Sequence, residues 1–300
     1  MADMIERWKA DAHTRGMTEA SIYTYGQHLA TFQASLGRSI AKAGKMEIRT
    51  WVDEQRQKGL TTKTIKVRLN ALSNFYEFLI FEGVRKDNPV PEVQKRYLSQ
   101  YKAASEAHTH KLISVEDAAR LVASIVDIRD KAMLLLMFKT GVRRGELLSM
   151  DVSDIRWDNQ SITLKPKKKR SNKIVFFDDE TEYVLKRWLE IWQARNPLSD
   201  ALWISTWGKR IGYGSIQYNI NRAAVLCGLH DPSSDRMEDH FSAHCTRHWM
   251  TTHLLRAGMA REHVQWLRGD AIREAVDIYY HIDPEDVRKS YLAHVPRLGI

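Results

Sequence analysis

Cysteine and long apolar stretches are both scarce in this chain. Its two cysteines, Cys227 and Cys245, are too few for a disulfide framework or a cysteine-based zinc site. Nowhere do about eighteen apolar residues follow one another, and the charged N-terminal residues contain no apolar core of a signal peptide. We therefore expect a cytoplasmic protein that neither crosses a membrane nor depends on disulfides.

Positive charge exceeds negative charge, with 46 Lys and Arg against 37 Asp and Glu and a formal net charge of +9. This excess favours a polyanionic partner such as nucleic acid, but it does not identify one. The length of 300 residues is about twice the commonest domain size, which favours two domains.

The first part of the chain, residues 1–95, is predicted to be helical throughout. Two apolar stripes with spacings of three and four indicate amphipathic helices, one capped by Thr18 and one starting at Thr62. Their apolar members are Ile22, Tyr25, Leu29, Phe32 and Leu36 in the first helix and Ile65, Leu69, Leu72, Tyr76 and Leu79 in the second. Gly83 and the Asn88-Pro89 pair end this helical domain.

A polar connection and a second domain follow. The sequence turns polar from Val90, and we assign residues 96–111 to a linker and residues 112–300 to the second domain. A helix begins at Ser114, and the apolar run 133–138 predicts a helix buried on nearly every side. Segments 162–164 and 174–177 alternate as strands do, and the rest is helical. The predicted fold is therefore mainly α with a small antiparallel β-sheet.

Between the two predicted strands lies an unusual concentration of positive charge. The cations of this hairpin are Lys165, Lys167, Lys168, Lys169, Arg170 and Lys173. A run of charge is usually solvated, but at a hairpin tip it could also contact a row of phosphates.

Three further clusters contain residue types suited to phosphate chemistry. In the segment 140–147, Gly141 precedes Arg143 at the start of a helix, where a guanidinium and backbone N–H groups could bind an oxyanion together. His244 and Arg247 are three residues apart and share a helix face. Arg268-Gly269-Asp270 is followed by the adjacent Tyr279 and Tyr280.

Each cluster alone has an ordinary explanation. Arg143 could simply pair with Glu146, and Arg247 could form a salt bridge on a surface helix. Adjacent tyrosines are commonly one core ring and one surface ring. No single cluster therefore identifies a function.

The order and spacing of the clusters together resemble the signature of the tyrosine recombinase, or phage integrase, family over nearly the whole chain. The family pattern Thr-Gly-Leu-Arg-x-x-Glu-Leu is similar to residues 140–147, and its His-x-x-Arg to residues 244–247. Its Leu-Gly-His, with a Tyr nine residues after the His, has a counterpart in residues 268–270 and Tyr279. The family's Tyr-Thr-His resembles residues 279–281, which favours Tyr279 over Tyr280 as the nucleophile.

This resemblance implies a helical SAM-like core-binding domain and an α+β catalytic domain that close on double-stranded DNA as a C-shaped clamp. It implies site-specific recombination through a 3′-phosphotyrosine intermediate at Tyr279, without metal, ATP or another cofactor. Arg143 and Arg247 would bind the phosphate, His244 would bind it and assist proton transfer, and a hairpin lysine would protonate the departing 5′ oxygen.

The family spacing selects Lys168 as this acid, counted back from Val175, while a turn one residue different would select Lys167 or Lys169. The remaining cations are DNA-binding candidates: Lys165, Lys167, Lys169, Arg170 and Lys173 in the hairpin, and Lys63, Lys66 and Arg68 in the first domain.

Asp270 departs from the family pattern, which has His or sometimes Trp at this place. A carboxylate there would repel the phosphate unless it is protonated or turned away. Asp270 could instead orient Arg143 or Arg247, with His281 or Trp266 supplying the missing contact.

The C-terminal segment begins a helix at Pro284 and has an apolar edge of Val287, Tyr291 and Leu292. Family members commonly dock such a tail on a neighbouring protomer, which implies a homotetramer on paired sites and a monomer or weak oligomer without DNA. The alternative is a tail packed on its own domain. Two other functions stay open: a non-catalytic DNA-binding regulator, and a type IB topoisomerase.

Overall fold

The computed structural model describes residues 4–99, 111–166, 172–234, 236–269 and 282–300. These residues form two compact units, separated between residues 106 and 107. Within the described ranges, no helix combines the length and the apolar character needed to cross a membrane.

The first unit is helical throughout its described residues. Its helices are α1 (Met4–Thr14), α2 (Glu19–Leu36), α3 (Lys45–Gln57), α4 (Thr62–Phe81) and α5 (Val90–Tyr97), with a short 3-10 helix at Ile40–Lys42. Thr18 caps α2 by accepting a hydrogen bond from Ser21 N, as its position in the sequence predicts. The whole predicted stripe of α4 is buried in the core of the unit, and α2 and α1 pack against this helix. The all-helical prediction is confirmed.

Helix α5 corrects the interpretation of residues 90–97. Their polar composition suggests an irregular connection, but Val90 and Val93 are buried against the first unit, and so is Leu98 just after the helix. Two or three apolar side chains on one face are enough to seat a helix of eight residues, even when its other residues are charged. The first unit therefore extends beyond the expected boundary at residue 95.

The second unit combines helices with a small sheet. Its elements in chain order are α6 (Val115–Ser124), α7 (Ile128–Thr140), α8 (Arg144–Leu148), β1 (Ile155–Arg156), β2 (Ser161–Thr163), β3 (Ile174–Phe176), α9 (Asp179–Ala194), α10 (Tyr213–Leu226), α11 (Ala243–Arg256), α12 (Arg261–Arg268) and α13 (Pro284–His294). Helix α7 lies at the centre, with α9 and α11 packed against it. Residues 133–138 of α7 are fully buried, which confirms the prediction made from the apolar run.

The sheet is antiparallel with the strand order β1-β2-β3. Ile162 pairs with Ile155 on one side and with Val175 on the other, and all three side chains face the core. Such a row of β-branched residues across neighbouring strands stabilises a sheet of only two or three residues per strand. Strands β2 and β3 are the predicted pair. Strand β1 was not predicted, since two residues carry no readable alternation.

The C-terminal segment packs on its own unit, which is the second of the two arrangements considered for it. Val287 and Tyr291 of α13 and Leu298 after it are buried in the core of the unit. Helix α13 also packs against α12.

A buried ionic cluster holds the end of this segment. The fully buried Lys139 donates from Nζ to Asp178 Oδ2 at 2.5 Å, to Glu180 Oε2 at 2.6 Å and to Pro296 O at 2.7 Å. Glu180 also accepts from the N–H groups of residues 298 and 299, at 2.9 and 2.6 Å. Burial would raise the pKa of Glu180, but the hydrogen bonds from Lys139 and the backbone outweigh it and the pKa is lowered. This carboxylate is therefore ionised inside the protein.

Candidate active site

Residues 141–143, which join α7 to α8 and are called the Arg143 segment below, position Arg143. Helix α7 ends at Gly141, whose φ of 59° is left-handed, and a Cβ at this place would overlap the Met250 side chain. The left-handed conformation therefore favours glycine, while a Cβ could be admitted if the flexible end of Met250 moved. Arg143 is the N-cap residue of α8, as predicted from the Gly-x-Arg pattern.

Glu146 orients Arg143. It accepts from Arg143 N at 2.8 Å and from Arg143 Nη1 at 3.0 Å, and it is itself buried. The expected Arg143–Glu146 pair is present, but the arginine side chain stays 41% exposed. Glu146 therefore orients the guanidinium of Arg143 at the surface without burying it. The Arg143–Glu146 pair is thus compatible with the binding of an anion by Arg143.

Arg247 lies on α11, one helical turn after His244, and is only 5% exposed. Its Nη1 donates to Gly141 O at 2.8 Å and its Nη2 to Arg268 O at 2.6 Å. The expected alternative, in which Arg247 lies on the surface of its helix, is wrong, because the residue is buried. The structure brings α11, the Arg143 segment and the end of α12 together around this guanidinium, although they are far apart in sequence.

His244 is exposed at the start of α11. Since it is three residues before Arg247 on α11, the two residues project from the same side of this helix. This confirms the expected placement of the His-x-x-Arg pair on one helix.

Two of the expected site residues, Asp270 and Tyr279, lie outside the described residues, and so does His281. Trp266, the other candidate for the missing phosphate contact, is partly buried on α12 and stacks on Phe176 with ring centres 6.0 Å apart. Its ring is therefore engaged in joining α12 to the sheet.

Of the hairpin cations, the structure describes only Lys165 and Lys173, one at each end of the segment between β2 and β3. Lys165 forms an ion pair with Asp151, which also pairs with Arg210. Lys173 is exposed next to β3. The lysine candidates for the acid, Lys167, Lys168 and Lys169, and their neighbour Arg170 lie outside the described residues.

The DNA-binding candidates of the first unit differ from one another. Lys63 and Lys66 are exposed on α4. Arg68, by contrast, is part-buried and donates to the buried Gln55 of α3. The observed contact of Arg68 is therefore structural, while the two lysines present their charge to solvent.

A histidine pair precedes α11. His230 Nδ1 accepts from Phe241 N at 3.2 Å, and its ring lies edge-on to that of His240 at 5.2 Å. Burial lowers the pKa of His230, and the nearby His240 and Lys111 lower it further. The neutral ring therefore holds the loop that leads into the helix of His244.

Acidification is expected to weaken this loop. Because the pKa of His230 is lower in the folded than in the unfolded chain, its stabilisation is complete above the unfolded value of about 6.5 and is lost as pH falls through the folded pKa. His230→Asn keeps an acceptor that does not titrate, so this variant should lose less stability than the natural protein between about pH 8 and about pH 5.5. Thermal unfolding of both proteins at the two pH values measures the difference, and equal losses would contradict the role of His230.

Two residues that flank the Arg143 segment carry only a weak signal in the sequence and were not predicted. Lys139 directly follows the buried run of α7, and a charged residue at such a place is a signal for a buried partner. Its partner carboxylates follow about 40 residues later, beyond what spacing can predict. Arg144 stands in the sequence only as one member of the 140–147 motif, but in the structure it contacts α10.

The comparisons with known proteins agree with this geometry. The phage integrase family matches residues 101–286, and the N-terminal SAM-like domain of phage integrases matches residues 5–83. Tyrosine recombinase XerC of Haemophilus influenzae is 26% identical over 284 residues, covering 90% of this chain and 91% of the relative. XerC of Salmonella typhi is 28% identical over 284 residues, covering 90% and 89%.

Solved structures show the same fold. A lambda integrase tetramer bound to a Holliday junction matches with a TM-score of 0.71 and 17% identity, covering 93% of this chain and 76% of that one. The family match on the second unit spans more than half of the chain and includes the Arg143, His244 and Arg247 positions. This protein therefore belongs to the phage integrase family.

Proposed function

We propose that this chain is a site-specific DNA recombinase that cuts and rejoins DNA strands through a covalent bond to Tyr279. The activity is supported by the XerC tyrosine recombinases, which match nine-tenths of the chain. The observation that carries the mechanism is Arg247, a buried cation bonded to the backbone of the Arg143 segment.

The two arginines would stabilise charge on the reacting phosphate. In-line attack on a phosphodiester gathers negative charge on the two non-bridging oxygens, which guanidinium groups contact with charge-assisted hydrogen bonds. Arg247 is held in place before the DNA arrives, so little reorganisation is needed at the moment of reaction. Arg143 is more exposed than Arg247 and is oriented by Glu146. Its guanidinium would therefore be able to adjust its position as the phosphate changes geometry during the reaction.

The protons are assigned to His244 and to a hairpin lysine. His244 would contact the phosphate and accept the proton that the phenol of Tyr279 loses, and Lys168, or Lys167 or Lys169 if the turn is one residue different, would protonate the leaving 5′ oxygen. The other hairpin cations and the exposed Lys63 and Lys66 would contact flanking phosphates. Lys165 would have to exchange Asp151 for phosphate to do so.

Tyr279 would supply the nucleophile. Its phenol oxygen forms a bond to phosphorus while the bond to the 5′ oxygen breaks, so the energy of the phosphodiester is kept in a phosphotyrosine ester. The 5′ hydroxyl of another strand can then attack this ester, which exchanges strands without ATP. The charge of the two arginines takes the part that a metal ion plays in other phosphoryl-transfer sites.

Covalent capture tests this proposal and identifies the target sequence at the same time. The protein is incubated in EDTA with a pool of randomised nicked duplexes, in which the short fragment beyond the cut diffuses away and traps the adduct. We expect an adduct that survives denaturation. Sequencing its DNA identifies the site, and mass spectrometry of the digested adduct should place the nucleotide remnant on Tyr279.

Three other results would each contradict one part of the proposal. A remnant on Tyr280 would contradict the assigned nucleophile. Sequence-specific binding without an adduct would favour the non-catalytic regulator. In a parallel assay on a supercoiled plasmid, relaxation without paired sites would favour a topoisomerase. The recombinases named among the relatives favour neither of these two alternatives.

Asp270 offers a test of the site beyond the arginines. If residue 270 takes the place of the family's phosphate-binding His, replacing Asp270 with histidine would remove a negative charge from the site and add a hydrogen-bond donor, so Asp270→His should raise the single-turnover cleavage rate. The gain should be at least a few-fold and no more than about 1,000-fold, the upper value for one oxyanion donor. Asp270→Asn separates the loss of charge from the gain of an imidazole. Loss of cleavage in the histidine variant would mean that the carboxylate has a required role of its own.

On paired sites we propose a homotetramer, and without DNA a monomer or weak oligomer, located with the DNA in the cytoplasm. The lambda integrase structure is a tetramer on a junction, which supports the first part. The cis packing of α13 is compatible with the second.

A further inference from the structure

Arg144, the residue after the proposed phosphate ligand Arg143, makes a contact that the mechanism does not use. Its Cζ lies 3.5 Å from the centre of the Tyr213 ring, and its Nη1 donates to Gln217 Oε1 at 3.4 Å. Arg144 begins α8, whereas Tyr213 and Gln217 belong to α10, and the two helices pack together. The stacked guanidinium therefore links the Arg143 segment to α10.

The same face of α10 also contacts the entrance to α11. Asn221 follows Tyr213 and Gln217 at intervals of four residues, so the three side chains line one stripe of the helix. Gln217 Nε2 donates to Asn221 Oδ1 at 2.5 Å, and the amide of Asn221 also lies 3.3 Å from Phe241 O. Phe241 directly precedes Ser242, the N-cap residue of α11. One face of α10 thus contacts both segments that carry the phosphate-binding residues.

The stack of Arg144 on Tyr213 contributes little to the stability of the fold, because Tyr213 is 60% exposed and the stack is open to solvent. Its effect should instead be on position. Arg143 and Arg144 are consecutive at the start of a helix of five residues, so a rotation of α8 that releases Arg144 also turns Arg143. A displacement of about 1 Å at a reacting group can lower a rate by about 100-fold.

We propose that Arg144 is a positioning residue, which by stacking on Tyr213 sets α8 against α10 and thereby aligns Arg143 with Arg247. The inference rests on the proposed function, since it assigns Arg143 and Arg247 to one phosphate. It adds a residue that touches no DNA and acts through Arg143.

The test compares cleavage with binding on the duplex obtained by covalent capture. At saturating protein, Arg144→Ala should lower the single-turnover cleavage rate by about 10- to 100-fold, with little change in DNA affinity or in Tm. Tyr213→Leu should have the same effect, whereas Tyr213→Phe keeps the ring face and should cleave normally. The double variant Arg144→Ala/Tyr213→Leu should be no slower than either single variant, since both remove one contact.

A matched control is available on α9, where Arg187 lies 5.7 Å over the ring of Tyr183. Arg187→Ala removes a similar exposed pair and should not change cleavage. The inference is overturned if Arg144→Ala cleaves at the normal rate, if the two losses multiply in the double variant, or if Tyr213→Phe is as slow as Tyr213→Leu. Failure of the natural protein to form any adduct would overturn the proposed function and the inference with it, whereas a normal adduct with unaffected variants overturns the inference alone.

Discussion

Arg247→Lys is expected to lower the rate of strand cleavage by about 1,000-fold, within the range found for arginines that stabilise transferring phosphoryl groups. A lysine keeps the charge but not the planar fork of donors, so it cannot reach Gly141 O and Arg268 O as the guanidinium does while it also contacts a phosphate. Single-turnover cleavage of the captured duplex measures the loss.

Binding and folding should change far less than cleavage in this variant. Most of the affinity for DNA comes from many phosphate contacts, of which Arg247 would supply one. Arg256→Lys is the matched control, because Arg256 is exposed at the last turn of the same helix. If Arg247→Lys cleaved within about tenfold of the natural protein, the buried guanidinium would have a structural role only.

Lys139→Met should destabilise the second unit by about 3–5 kcal/mol, the usual result of removing one partner from a buried ion cluster. The substitution leaves the carboxylates of Asp178 and Glu180 buried at about 5% exposure without their cation. It also removes the donor to Pro296 O, so the C-terminal segment should loosen. The midpoint of thermal or urea unfolding of this unit is the measurement.

Two further variants identify the cause. Lys186→Met on α9 breaks an ion pair in which the lysine side chain is 58% exposed, and it should cost less than about 1 kcal/mol. Adding Asp178→Asn and Glu180→Gln to Lys139→Met removes the uncompensated charge and should restore part of the stability. A loss in Lys139→Met no larger than in Lys186→Met would contradict the argument.

The Arg143 segment and the residues beside it are held in part by groups from other parts of the chain. Lys139 bonds to the start of α9 and to the C-terminal segment, Gly141 to Arg247, and Arg144 to α10. Arg143 itself is oriented by a neighbour in sequence. A site that must stabilise charge without reorganisation benefits from such fixed surroundings.

Local patterns accounted for most of the helices. The Thr18 cap, the α4 stripe and the buried run of α7 each depend on residues within one element, where periodicity of three to four can be read directly. The end of helix α5 beyond residue 95 and the strand β1 were missed, because both elements are short and are buried by the rest of their unit.

The sequence by itself determined that this protein has a helical first unit, a mixed second unit and the ordered Arg143, His244 and Arg247 positions of its family, because these properties lie in local spacing. Only the tertiary structure decided that Arg247 is buried and bonded to two carbonyl groups, that Lys139 neutralises two carboxylates, and that Arg144 stacks on α10. Those contacts join residues that are far apart in the sequence, and burial and hydrogen bonding between such residues depend on how whole helices pack, which no local pattern encodes.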